Sequence, residues 1–177
     1  MRAIADGGDE PVRPTADELA GIVDLFGWLT PEELADACEE LAFRSGEELE
    51  GLDVAIAEAI EEYVLVATWV EDGSEIDGES EVDDRSEIDG RSAVIAGPAA
   101  FPILPDGAED LPHILDVSGR NVDREAVGND VYEDLLAEAE AVAPDTERAV
   151  VLREISYDLE AWAPVDASGV RERLEEE

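Results

Sequence analysis

Apolar positions first fall into register at Leu19, Ile22, Val23 and Phe26, the spacing of one buried helical face. Thr15 followed by Glu18 fits a capping box ahead of that face, and Gly27 supplies the stop. Thr30-Pro31-Glu32-Glu33 is the strongest helix start in the chain. It has a threonine cap, proline at the first helical position and a carboxylate that closes the box. The stripe Leu34, Ala37, Cys38, Leu41 and Ala42 follows, and Phe43 with Ser45-Gly46 ends it. A cap at Asp53 predicts a third helix running to about Glu62, with Val54, Ile56, Ala57 and Ile60 on its apolar side.

At Tyr63 the pattern changes. Tyr63-Val64-Leu65-Val66-Ala67-Thr68-Trp69-Val70 is rich in β-branched and aromatic residues and predicts a strand, with a second short strand near Ala93-Val94-Ile95. Between them a hexapeptide is written three times: SEIDGE (74–79), SEVDDR (80–85) and SEIDGR (86–91). Each copy has one apolar residue to bury, too few for a solenoid, and the glycine-rich spacing of calcium-binding repeats is missing. A disordered acidic loop at 71–91, grown by duplication, is the expectation. Pro98, Pro102, Pro105 and Pro112 mark an extended connector whose Phe101, Ile103 and Leu104 are expected to lie back on the core.

Asp123 then caps a helix with Val127, Val131, Leu135, Leu136, Ala139 and Val142 on one face, and Gly128-Asn129 reads as an interruption or a later start. Pro144-Asp145-Thr146 is a turn and cap. Ala149, Val150, Leu152 and Ile155 predict a shorter helix, although Val150-Val151-Leu152 also fits a strand. Tyr157 to Val165 has no clean period, and Asp166 caps a last helix over 167–175. The expected fold class is mostly α with a small β-hairpin (α+β). It comprises a disordered tail over 1–14, a three-helix-plus-hairpin domain over 15–101 and a helical extension over 102–177 packed on it.

Composition narrows the setting. Leu, Ile, Val and Phe make up 46 of 177 residues, enough for a core. The longest mainly apolar run unbroken by charge, Gly or Pro, Tyr63 to Val70 with Thr68 inside it, is far short of the ~20 residues of a membrane span. The amino terminus carries no apolar signal core, and one cysteine allows no internal disulfide. Together these predict a soluble cytoplasmic protein. Lysine is absent, and 49 acidic residues against 11 arginines give a net charge of −38. Such a chain repels itself unless salt screens it. A hydrated surface suited to a salt-rich, haloarchaeal type of cytoplasm therefore accounts for nearly every carboxylate. A mimic of nucleic acid, or a site for a basic partner, needs more than the carboxylates themselves.

Chemistry is sparse. His113, the one histidine, lies among core-like neighbours with no nucleophile motif beside it and reads as a partly buried structural residue. Cys38 falls on an apolar stripe and reads as a small core residue. One Cys and one His cannot build the usual closed zinc site, and no phosphate-cradling glycine loop is present, so neither metal nor cofactor is expected. Arg120 with Arg124, Arg148 with Arg153, and Arg171 with Arg173 are local pairs expected to bridge to neighbouring acids. Trp69, beside the acidic loop, and Trp162, in an unpatterned segment, are the candidate partner-binding residues, because exposed tryptophans mark interfaces.

Three helices followed by a hairpin resemble a winged-helix domain, which in its DNA-binding members inserts the third helix into the major groove. That resemblance implies a groove face containing Asp53, Glu58, Glu61 and Glu62 and a wing tip with ten acids against Arg85 and Arg91, surfaces of the wrong sign for phosphate. At a finer level LAGIVDLFGWLT (19–30), ELAF (40–43), GPAAFPILPDGAEDLPHILDV (97–117) and YDLEAWAPVD (157–166) resemble an uncharacterised haloarchaeal family, a domain of unknown function. The resemblance brings no activity. The expected role is a non-enzymatic module for contact with a protein partner, and the alternative is a transcriptional regulator that meets DNA through an arginine-bearing surface.

Overall fold

The computed structural model describes residues 11–71 and 90–175. The first two hexapeptide copies, residues 86–89 of the third and residues 1–10 of the expected tail lie outside them, whereas Glu71, Gly90 and Arg91, expected in a disordered loop, belong to strands. The fold is mostly α with one hairpin. Helices α1 (Ala16–Phe26), α2 (Pro31–Ser45) and α3 (Leu52–Glu61) precede β1 (Leu65–Glu71) and β2 (Gly90–Ala96). Then follow a short α4 (Leu111–Ile114) and the long α5 (Arg124–Ala141), α6 (Glu147–Trp162) and α7 (Ser168–Glu175). Both threonine capping boxes form. Thr15 accepts from the Glu18 amide and Thr30 from the Glu33 amide, and each glutamate reaches back to the cap amide. Order begins before Thr15: Val12 N–H donates to Glu48 O, and Glu50 N–H donates to Val12 O.

The hairpin is the middle layer of three. Antiparallel pairing sets Leu65 opposite Ala96 and Val66 opposite Ile95, and side chains alternate faces along each strand. Leu65, Val94 and Ala96 enter one core with Leu19, Phe26, Leu34 and others from α1–α3. Val66 and Ile95 enter a second core with Val131, Leu135, Leu152, Leu159 and Val170 from α5–α7. A two-stranded ribbon is marginal alone; here helices cover both faces. The consecutive apolar residues Val64, Leu65 and Val66 have their cause in that double burial, which ends at the exposed Ala67.

Several elements differ from the sequence expectation. The α3 cap is Gly51 in the left-handed region, not Asp53. The buried stripe of α3 is Leu52, Ala55, Ile56, Ala59 and Ile60, so Val54, 52% exposed, and Ala57 face solvent. Small alanines let α3 approach closely, and their low hydrophobicity hid the true phase from a pattern reading. Gly128 interrupts nothing. It is buried within continuous α5, where a Cβ would stand 2.5 Å from that of Ala163. The 150–152 segment is helix, and α6 continues through the unpatterned stretch to Trp162, its buried face being Ala149, Leu152, Ile155, Ser156 and Leu159.

The connector also departs from expectation. Phe101, Ile103 and Leu104 are exposed, because the backbone rather than the side chains seats on α1. Ile103 N–H donates to Asp17 O at 2.9 Å, and Phe101 N–H donates to Asp17 Oδ1 at 3.1 Å. Gly21 permits this approach, since a Cβ there would lie 2.0 Å from Ile103 O. Gly21→Ala is therefore expected to lower stability by about 2–3 kcal/mol, although alanine ordinarily favours a helix interior over glycine by about 1 kcal/mol. Urea denaturation measures the difference. A stabilised variant would show that the connector gives way freely.

Candidate interaction site at the open edge of the hairpin

Each strand of a two-stranded sheet has one outer edge, and the two edges here differ. On β2 the edge is covered: Leu29 N–H donates to Val94 O at 3.1 Å, and Val94 N–H donates to Leu29 O at 2.7 Å. On β1 no further pairing is present among the described residues. Beside β1 lies a cleft of about 690 Å³, walled by Ile60, Glu61 and Glu62 at the end of α3, by Leu65, Val66 and Ala67 of β1, and by Val131, Asp134 and Glu138 of α5. It is the slot left where the two helical layers run past the edge of the sheet between them.

One end of the slot is tied shut. Arg148 of α6 donates to Glu138 Oε1 at 2.5 Å and Oε2 at 3.0 Å, and reaches across to Glu61 O at 2.9 Å. Tyr63 donates its hydroxyl proton to Glu138 Oε2 at 3.0 Å. Burial and the adjacent Glu138 charge hold the Tyr63 phenol protonated well above its ordinary range. Tyr63 also carries φ +58, a left-handed turn that converts the end of α3 into the start of β1. The network joins α3, α5 and α6 around the strand and leaves Ala67 onward open.

Trp69 and Trp162 do not form a pair. Trp162 donates its indole N–H to Ala96 O at 3.1 Å, and the Arg124 guanidinium stacks 4.4 Å over its ring. It fastens α6 to β2. Trp69 is 71% exposed, with Ser92 opposite it across the ladder. His113, expected to be partly buried, is exposed on α4, because Leu111 takes the core position of that short helix. Cys38 is buried on α2, and desolvation, aided by Glu18 and Glu39, pushes its thiol up to about 12. A thiol held protonated is a poor nucleophile. Among the described residues no group of three or more His, Cys, Asp or Glu is placed to hold a metal, and no helix is long and apolar enough to cross a membrane.

Arg13, Arg44, Arg120, Arg148 and Arg171 pair with acids, the first three with acids far along the chain, whereas Arg124 stacks on Trp162 and Arg153 keeps a buried Nε without a hydrogen-bond partner. Arg120 pairs with Glu33 at 2.6 and 2.7 Å and stacks 4.0 Å over Trp28. Arg44 reaches Asp110 at 3.1 Å, Arg13 pairs with Glu58, and Arg171 pairs with Glu160 at 2.7 Å while lying over Tyr157. Sequence reasoning singled out Trp69 but missed the edge beside it. The signal was available in part, since a single hairpin must leave edges, but the strap on β2 depends on Leu29, which no strand pattern marks.

A family model described as "Family of unknown function (DUF7109)" matches residues 17–177. No curated protein and no solved structure matches the chain.

Proposed function

The chain belongs to that family of unknown function, and from this premise we propose that it is a non-enzymatic protein-contact module of a salt-rich cytoplasm, with a winged-helix-like order of elements in its first half. The observation that carries the reading is Trp69, largely exposed on a strand whose outer edge has no further partner among the described residues; Phe43 and Phe101 are as exposed but stand beside no such edge. Large exposed aromatics beside unsatisfied backbone groups suit recognition of another chain. The inert thiol and the exposed, isolated histidine lend no support to a catalytic reading.

The DNA-binding alternative meets an obstacle of charge. Asp53, Glu61 and Glu62 lie on the exposed side of α3, and Arg13 there is paired with Glu58. Arg120, Arg148 and Arg171 are bound by carboxylates and rings of their own chain, which lowers their value to a phosphate.

Trp69→Ala is expected to change stability by no more than about 0.5 kcal/mol, as for exposed positions generally. Loss of a hot-spot tryptophan is worth about 2 kcal/mol, so binding within the native complex should weaken about thirtyfold. Isolation of the complex in molar KCl, with the melting temperature as control, reads both. A complex indifferent to Trp69, or a chain that turns over substrate and holds no partner, overturns the reading.

A further inference from the structure

The ladder register tells which backbone groups of β1 face the slot. Gly97 N–H donates to Val64 O, so alternation along an antiparallel pair puts the hydrogen bonds to β2 at Val66 and Thr68, opposite Ile95 and Ala93. The backbone N–H and C=O groups of Leu65, Ala67 and Trp69 then point to the outer edge. The Leu29 strap agrees with this register, because it bonds the outward groups of Val94, which stands opposite Ala67. From Ala67 the edge is open to solvent, and its inner end lies in the slot.

A cleft of about 690 Å³ between two helical layers, flanking a strand edge with no further partner among the described residues, is a place for one more strand. Among the described residues its walls carry Glu61, Glu62, Asp134 and Glu138 against one cation, Arg148. Arg148 and Glu138 neutralise each other at the closed end, so three carboxylates remain to meet an occupant. We propose that β1 accepts an extended basic peptide segment of a partner protein as a third strand, with its backbone on Leu65, Ala67 and Trp69, its Arg or Lys side chains toward the acidic walls, and an apolar side chain against the Trp69 ring. This rests on the protein-contact reading above and gives that reading a site and a partner class. Main-chain bonds supply affinity in such strand addition, and alternate side chains supply selectivity. A second copy of this chain is disfavoured as occupant, since it would set acidic walls against an equally acidic surface.

The test uses fluorescence anisotropy in molar KCl with a labelled octapeptide of alternating Arg and Val. Saturable binding to the wild-type chain is expected, at least tenfold tighter than that of the alternating Glu and Val peptide. Ala67→Pro removes an outward N–H and leaves the bonds to β2 in place, a position where an edge strand tolerates proline. It should keep the helical circular dichroism and weaken peptide binding at least tenfold. Should Ala67→Pro fail to fold, the same loss is expected on the wild-type chain when alternate amides of the Arg–Val peptide are N-methylated. Trp69→Ala should weaken binding severalfold.

Equal binding by Ala67→Pro, by the methylated peptide or by the acidic peptide overturns the proposal. So does a wild-type dimer that Ala67→Pro dissociates, which would make the second copy the occupant. Absence of peptide binding alongside a Trp69-dependent native complex overturns the strand-addition site and leaves the protein-contact reading standing. Absence of both removes both.

Discussion

Arg120→Ala is expected to destabilise the fold by about 3 kcal/mol, the largest loss from any single surface-reaching side chain here. The guanidinium holds both carboxylate oxygens of Glu33, donates to Trp28 O at 3.2 Å and stacks on the Trp28 ring. Its own N–H donates to Phe26 O at 2.7 Å. Trp28 packs against the second core, whereas Phe26 and Leu34 belong to the first. One residue therefore stitches the segment before α5 to the α1–α2 turn, where the two cores meet. Removal leaves Glu33, three-quarters covered, without its cation. Arg120→Lys keeps the charge but lacks the two-pronged geometry, so it should recover less than half of the loss.

The same pair sets a pH dependence. The Arg120 hydrogen bonds, opposed by partial burial and helped by the Thr30 amide, bring Glu33 down from 4.5 to about 2. A carboxyl whose folded value is depressed contributes stability that is fully present above about pH 5. That contribution is lost as pH falls from about 4.5 toward 2. With allowance for partial solvent screening it amounts to about 2 kcal/mol. The penalty of Arg120→Ala should accordingly shrink across that acid window. Urea midpoints of wild type and variant between pH 6 and 2.5 measure it. A penalty below about 1 kcal/mol, or one unchanged over the window, would show that the pair is ornamental.

Salt should act in the other direction and on the whole molecule. The charge of −38 is spread over runs such as Glu39-Glu40, Glu47-Glu48 and Glu61-Glu62. Exposed like charges about 7 Å apart cost on the order of 0.6 kcal/mol each in water. The Debye length contracts from about 30 Å at 0.01 M to about 3 Å at 1 M, removing most of that repulsion. A gain of about 3 kcal/mol, or about 6–12 °C in melting temperature for a chain of this size, is expected between dilute buffer and molar KCl. Thermal melts over a KCl series decide it, and a flat series would mean that the folded chain feels little self-repulsion. The Arg120–Glu33 pair is sheltered, so the Arg120→Ala penalty should survive in molar KCl.

The local elements were legible because their signals are local. Thr15 with Glu18 and Thr30 with Glu33 satisfy free amides within one turn, so residues three apart suffice to place two helix starts. The strand run at 64–70 and the α5 face behave likewise, and the resemblance to a family of unknown function rested on contiguous segments that the family match covers in large part. The failures are instructive in the opposite sense. Ala55 and Ala59 are buried because α3 comes close, and closeness is a property of two elements. Tyr157 to Trp162 is helical because α5 and α7 cover Leu159, although its own pattern is broken by acids.

The order and identity of most elements and the caps that bound them were readable from the chain because each depends on residues within a few positions, and the net charge because it depends on composition alone. That the hairpin lies between two helical layers, that Leu29 straps one edge while the other has no partner among the described residues, and that Trp162 is spent on Ala96 and Trp69 exposed, came from long-range packing. Those outcomes depend on which surfaces meet across 60 or more residues of chain, and hydrophobic burial, being non-directional, does not write the choice of partner into any one segment.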